Sequence, residues 1–183
     1  MMTLRQIMGA CALALAFAQP ALAAASHLAG VASATVVRPL RVVATADMDF
    51  GTITHLPGAS GTVTVSPGVA GAAYGGSAGA ACASAACATA HAAGFAVAGE
   101  PQRNYMIQLP ASVIATGSAS DSGTAVPPLV VGGLTVRSAS GNGVSRLDVS
   151  GADQFEVGGT ITLPADLPSA RYRASFSVIV TYI

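Results

Sequence analysis

The sequence contains no tryptophan and no lysine, and only 9% of its 183 residues are charged. Without lysine, the chain cannot form a Walker-type phosphate-binding loop or a Schiff base with a carbonyl substrate. The eight basic residues, all arginine, are balanced by eight acidic ones. This balance argues against an electrostatic grip on nucleic acid or anionic lipid, so we expect no nucleic-acid partner.

Residues 1–23 have the pattern of a secretory signal peptide. A single positive charge, Arg5, precedes a long apolar run that ends in the small-residue pattern Ala21-Leu22-Ala23, which predicts cleavage after Ala23. The run is too short to span a bilayer comfortably, and no stop-transfer signal follows it. We therefore expect a secreted protein with no membrane span after cleavage.

Cysteine is also scarce, and only Cys82 and Cys87 follow the predicted cleavage site. In an oxidising compartment the pair predicts a disulfide, which would close a short loop and contribute only about 2 kcal/mol. Free thiols remain an alternative. A metal site is a third reading because His91 follows the cysteines, but no fourth ligand is evident and the spacing matches no common zinc pattern.

What the sequence does contain is a series of short strand signals separated by glycine and proline. The stretch GTVTVSPG alternates cleanly and ends in a turn, and VSRLDVSG follows a Gly-Asn-Gly turn. No segment of ten or more residues has a helical period with caps. The pattern predicts an all-β, antiparallel sandwich or barrel over residues 35–183.

Residues 71–94 consist mostly of glycine, alanine and serine and interrupt this rhythm. Because the segment has no apolar stripe to bury, we expect a long loop tethered by the cysteines. It contains the pattern Gly75-Gly76-Ser77-Ala78-Gly79, which matches a G-x-S-x-G nucleophile elbow. That motif requires a buried strand before it and a packed helix after it, and the flanking residues predict neither.

The remaining polar residues form no recognisable catalytic pattern. The three histidines are isolated, and none lies in a base-plus-nucleophile arrangement. The acidic residues Asp148, Asp153 and Glu156 are close in sequence, so calcium ligation is conceivable, but EF-hand spacing is absent and solvated strand ends are favoured. We expect no catalytic residues, no metal and no cofactor, and the chain is predicted not to be an enzyme.

The last twelve residues, YRASFSVIVTYI, alternate like a single β-strand. An unprotected strand of this kind would invite aggregation, so it is either covered in a complete sandwich or paired with another chain. The residues of this hypothetical assembly strand share one face: Tyr172, Phe176, Val178, Val180 and Tyr182.

Residues 24–34 are small and weakly alternating, and the weak alternation continues to Val36. They read either as a flexible leader or as the donor arm that would pair with an assembly strand. If the arm were extended, one face would carry Leu28, Gly30, Ala32, Ala34 and Val36.

Several stretches together resemble a family of bacterial secreted domains of unknown function, DUF4402. They are RPLRVVATADMDFGTI, GTVTVSP, GEPQRNYMIQLP, FEVGGTITLP and RYRASFSVIVTY, and the most specific parts are Asp49-Phe50-Gly51, Gly158-Gly159-Thr160 and the C-terminal strand. A weaker likeness extends to spore coat protein U-type pilins of the archaic chaperone–usher systems. Those pilins commonly carry a cysteine in the first strand, and residues 34–46 contain none.

The resemblance implies an immunoglobulin-like, pilin-like sandwich in the periplasm or on the bacterial cell surface. The expected function is that of a non-catalytic structural or adhesive surface subunit assembled by β-strand addition. Its expected partners are copies of itself, related subunits and a periplasmic chaperone. The alternative is a self-contained secreted binding domain, for example for glycan, that uses its long loops.

Overall fold

The computed structural model describes residues 32–82, 89–141 and 144–183. Within these ranges the chain forms thirteen strands and no helix, which confirms the all-β prediction. The strands are β1 (Arg41–Ala46), β2 (Ile53–His55), β3 (Gly61–Val65), β4 (Ala72–Gly76), β5 (Ala78–Ala80), β6 (Ala93–Ala98), β7 (Asn104–Gln108), β8 (Ser112–Ala119), β9 (Ala125–Ser138), β10 (Ser145–Arg146), β11 (Ala152–Leu163), β12 (Ala170–Arg173) and β13 (Ile179–Tyr182).

The strands form two layers, and every strand pair is antiparallel. One layer is an eight-stranded sheet in the order β1-β6-β11-β9-β8-β12, in which β3 also pairs with β11 and β4 pairs with β3. The other layer consists of a three-stranded sheet, β10-β7-β13, and a two-stranded sheet, β2-β5. This arrangement is a β-sandwich, as predicted. Its immunoglobulin-like and pilin-like character stays a prediction.

The core between the layers consists of two hydrophobic clusters. The first cluster joins the eight-stranded sheet to β2 and β5 and centres on Val63, Leu129 and Ile161. The second cluster joins the same sheet to β7 and β13 and centres on Tyr105 and Phe155. The long strand β11 contributes side chains to both clusters, so one continuous strand connects the two halves of the core.

The alternating sequences GTVTV and GTITL explain how β3 and β11 cover this core. Val63 and Val65 are fully buried, whereas Thr62 on the same strand is exposed. The two strands lie in antiparallel register, with Thr64 opposite Thr160, and the hydroxyl groups of these two threonines are 2.8 Å apart. The period of two therefore places valine and isoleucine inward and threonine outward.

The Gly/Ala/Ser-rich segment differs from the long loop predicted for residues 71–94. Strand β4 pairs with β3 along five residues, and β5 pairs with β2 along three. A Cβ atom on Gly75 would lie 2.6 Å from the hydroxyl oxygen of Thr62, so glycine is what allows the close approach there. The strands escaped prediction because they are held by backbone hydrogen bonds and carry almost no side chain that could show a period.

Two glycines of the predicted family motifs have identifiable backbone roles. Gly158 lies within β11, whose register with β9 shifts between Gly158 and Thr160, so the Gly158-Gly159 pair forms an irregularity within one long strand and not a tight turn. A Cβ atom on Gly158 would collide with the carbonyl oxygen of Val65. Gly51 has a φ of 73° and donates its N–H to the Asp49 carboxylate at 2.7 Å.

The chain divides into two compact units, Met1–Thr35 and Val36–Ile183. Only residues 32–35 of the first unit are among those described, and they are exposed and belong to no strand. The second unit contains all thirteen strands. In the described part of the chain, no helix is long and apolar enough to cross a membrane.

Candidate functional site

The C-terminal segment is divided between the two layers, so the prediction of one continuous strand from residue 172 is wrong. Residues Ala170–Arg173 form β12 and pair with β8, whereas Ile179–Tyr182 form β13 and pair with β7 in the other layer. Residues 174–178 between them belong to no strand. The sequence period indicates which side chains face inward, but it does not indicate which strand pairs with which, and here the partner changes.

The five side chains predicted to share one face of the assembly strand do share a common degree of burial. All five of its side chains are half-buried, and the residues that alternate with them are exposed. Tyr172 packs against the first cluster, where its ring lies against Gly117. The structure brings the other four together at the second cluster: Phe176, Val178, Val180 and Tyr182.

One flank of the sandwich is open along this segment. Within the described ranges, strand β13 pairs only with β7, and β1 pairs only with β6. Among the described residues, no backbone–backbone hydrogen bond involves residues 174–178. We call this edge, residues 174–182, the open flank. Its unpaired N–H and C=O groups can accept another strand.

The hydroxyl of Tyr182 fixes the end of the open flank. It donates a hydrogen bond to the Arg38 carbonyl at 2.7 Å and accepts one from the Glu100 N–H at 2.6 Å. The Glu100 carboxylate in turn accepts the Arg38 N–H at 2.9 Å. The Arg103 guanidinium lies 5.2 Å from the centre of the Tyr182 ring, where the cation is attracted to the ring face. The chain that enters β1 is thus fastened to the end of β13.

A buried polar cluster joins the two layers beside the open flank. One oxygen of the Asp153 carboxylate accepts hydrogen bonds from the hydroxyl groups of Tyr105 at 2.9 Å, Ser138 at 2.7 Å and Ser140 at 2.7 Å. Tyr105 is 1% exposed. Burial raises its pKa to about 12, with smaller raising contributions from Asp153. The cluster is therefore a structural clasp between β7 and β11 that keeps the phenol protonated.

The three acidic residues considered for calcium do not form one site. Asp148 accepts hydrogen bonds from Ser150 and Ala152 in the turn before β11, and these bonds lower the pKa of its carboxyl. Asp153 serves the clasp, and Glu156 accepts the Gly68 N–H. In the described ranges, no group of three or more metal-ligating side chains is present.

The other predicted site residues are placed as follows. Cys82 is disulfide-bonded, but Cys87 lies outside the described residues, so their pairing stays a prediction. Leu28 and Gly30 of the donor arm also lie outside them, whereas Ala32, Ala34 and Val36 are exposed and belong to no strand. The elbow motif spans the end of β4, Ser77 between the strands and the start of β5, and the Ser77 hydroxyl donates to the Ala59 carbonyl at 2.9 Å. A strand, β5, thus takes the place of the helix that the motif requires directly after the serine.

No local pattern in the sequence predicted the clasp or the anchoring role of Arg38. Tyr105 and Asp153 are separated by 48 positions, and Arg38 and Tyr182 by 144. A pattern within one strand cannot show which distant side chains meet. The only available hint was a tyrosine at an inward position of β7, because a buried phenol usually has a hydrogen-bond partner.

Comparisons with known proteins identify the family but no characterised relative. No curated protein and no solved structure matches the chain. The family model described as "Domain of unknown function (DUF4402)" matches residues 40–182 and so covers the whole sandwich from β1 to β13. The chain therefore belongs to the DUF4402 family.

Proposed function

We propose that this protein is a secreted, non-catalytic structural subunit whose open flank accepts an extended segment from another copy of the same chain. The donor would be residues 24–36, and the interaction would be β-strand addition, with a periplasmic chaperone as an earlier partner. The observation that carries the proposal is the free edge of residues 174–182, which combines unpaired backbone groups with apolar side chains at the core.

The apolar side of the open flank is incompletely covered. Six residues of the second cluster are buried, but ten further hydrophobic residues packed against it are only partly buried. They include Phe176, Val178 and Val180 of the C-terminal segment and Leu40 and Met48 at the two ends of β1. Covering such side chains contributes about 25 cal/mol for each Å² of apolar surface removed from water, which favours an added strand.

The donor has the complementary chemistry. The side chains of its inward face would be mostly small, and small side chains suit a site where phenylalanine and valine already occupy the core. Val36 is 94% exposed and lies two residues before the anchored Arg38. Val36 thus lies close in sequence to the residue that hydrogen-bonds Tyr182 at one end of the open flank.

Deletion of residues 24–36 tests the proposal directly. We expect the shortened chain to fold, to remain monomeric where the mature chain forms fibres or oligomers, and to bind a fluorescent peptide of residues 24–36. Amide hydrogens of residues 174–182 should exchange rapidly in the shortened chain and slowly once the peptide is bound. Size-exclusion chromatography, electron microscopy, fluorescence anisotropy and hydrogen exchange provide the four readouts.

A matched pair of variants distinguishes strand addition from non-specific hydrophobic association. Val178→Asp places a charge on the half-buried face of the open flank, whereas Ser177→Asp places the same charge on the exposed face. Peptide binding should be lost in the first variant and retained in the second. Oligomers that persist without residues 24–36, or equal peptide binding by both variants, would refute the proposal.

A further inference from the structure

A cleft of about 660 Å³, lined by both polar and apolar residues, lies on the face of the eight-stranded sheet that points away from the core. We call it the outer cleft. Its volume falls within the range of about 300–1,000 Å³ that is usual for ligand sites. The polar residues that line it are Thr45, His91, Arg137, Ser138, Gln154 and Glu156, and the Ser138 hydroxyl is already hydrogen-bonded in the clasp.

The alternation of β11 places these groups outward. Phe155 and Val157 are buried, so Gln154 and Glu156 must face solvent. Glu156 lies opposite Gly94 of β6 on one side and opposite Arg137 of β9 on the other. A Cβ atom on Gly94 would lie 2.7 Å from the Thr45 hydroxyl. The absence of a side chain at Gly94 therefore leaves a depression between Thr45 and Glu156.

The walls of the outer cleft are fixed before any ligand arrives. The Glu156 carboxylate accepts the Gly68 N–H at 2.5 Å, and the Gly71 N–H donates to the Ala90 carbonyl at 3.0 Å. His91 exchanges two backbone hydrogen bonds with Asp49, at 2.8 and 2.9 Å. A site that is already ordered loses less entropy on binding.

Several polar groups in the outer cleft have unused hydrogen-bonding capacity. Within the described residues, the side chains of Arg137, Gln154 and Thr45 make no hydrogen bond or ion pair. Arginine presents five N–H donors in a planar fork that matches a carboxylate. The amide and the hydroxyl can each both donate and accept, which is what a ligand rich in hydroxyl groups requires.

From this arrangement we infer that the outer cleft binds an acidic saccharide. A uronic-acid carboxylate pairs with Arg137, and sugar hydroxyls donate to Glu156 and exchange hydrogen bonds with Gln154 and Thr45. Adjacent strands lie about 4.8 Å apart, so the four strands β1, β6, β11 and β9 span about 14 Å, which accommodates a short oligosaccharide. This inference is independent of strand addition.

Titration of the mature chain with trigalacturonic acid tests the inference, and its fully methyl-esterified form is the matched neutral probe. We expect saturable binding of the acid by calorimetry and at least about tenfold weaker binding of the ester, because the ester cannot form a charge-assisted pair. Arg137→Gln should weaken binding of the acid by at least about tenfold and leave binding of the ester unchanged.

Arg171→Gln is the control because it removes an equally exposed arginine from β12 of the same sheet. It should bind both probes like the wild type. Circular dichroism and the melting temperature show whether each variant is folded, and Arg137→Lys replaces Arg137→Gln if that variant is not. The inference fails if neither probe binds at millimolar concentration, if the ester binds as tightly as the acid, or if the control loses as much affinity as Arg137→Gln.

Discussion

The phenol of Tyr182 donates a hydrogen bond to the carbonyl of Arg38, and these two residues are separated by 144 positions. The bond joins the chain that enters the first strand to the end of the last one. It fixes the position of Arg38 relative to the end of β13. Strand addition between copies would depend on this relationship.

Tyr182→Phe should lower the free energy of unfolding by about 1–3 kcal/mol. The variant keeps the ring but loses two hydrogen bonds, and it leaves the Glu100 N–H without its acceptor. Urea titration followed by circular dichroism measures the change. Tyr74→Phe is the control, because Tyr74 is 37% exposed and its hydroxyl has no hydrogen bond within the described residues. Equal stability of the two variants would contradict the anchoring role.

Tyr105 and Tyr172 should respond oppositely to loss of the hydroxyl group. Tyr105→Phe removes one of the three hydroxyl donors to one oxygen of the Asp153 carboxylate and should cost about 1–3 kcal/mol. The hydroxyl oxygen of Tyr172 is buried without a hydrogen-bond partner within the described residues. Tyr172→Phe should therefore leave stability unchanged or raise it by up to about 1 kcal/mol. Chemical denaturation of both variants measures the difference, and a large loss in Tyr172→Phe would contradict this account.

Stability should decrease at alkaline pH through Tyr105. Its pKa is raised from 10.0 to about 12 in the folded state, so folding favours the protonated phenol. The contribution is fully present below pH 10 and is lost as the pH rises through 12, by up to about 3 kcal/mol. Urea denaturation between pH 8 and 12 measures it, with Tyr105→Phe as the reference. If both proteins lost stability in parallel, Tyr105 would not be the responsible group.

Alanine substitutions at two glycines should have very different effects. Gly158→Ala places a methyl group against the Val65 carbonyl and the Pro67 ring, so we expect a loss of about 3 kcal/mol or misfolding. Nothing lies within 4 Å of a Cβ atom on Gly132, and Gly132→Ala should change stability by less than about 1 kcal/mol. Thermal denaturation of the two proteins provides the comparison, and similar melting temperatures would contradict the packing described for β11.

The sequence could predict exposure much better than it could predict pairing. Alternation in residues 172–183 correctly identified the large side chains that face the core, because a period of two follows from any extended backbone, but it wrongly placed Ala174 among them, which is exposed. It could not show that the chain leaves β8 after Arg173 and joins β7 at Ile179, since that change of partner involves residues far away in sequence. Strands β4 and β5 were missed for a related reason: glycine and alanine carry too little side chain to mark an inward face.

The candidate sites were harder to predict from the sequence than the strands were. The open flank was anticipated because its apolar residues are local, whereas the outer cleft combines β1, β6, β9 and β11 with the segment before β4. Arg137 alone is an ordinary surface arginine in the sequence. Its possible role follows only from Glu156 beside it and from the space above Gly94, and both depend on strand register.

Strand β11 also determines how the domain comes apart. Its first half supplies Phe155 and Val157 to the second cluster, its second half supplies Ile161 and Leu163 to the first, and Leu134 of β9 packs against both. Because β11 belongs to both clusters, unfolding of either half of the core also removes β11 side chains from the other half. The sandwich should therefore melt in a single calorimetric transition, and a local defect in either half will lower the melting temperature of the whole domain.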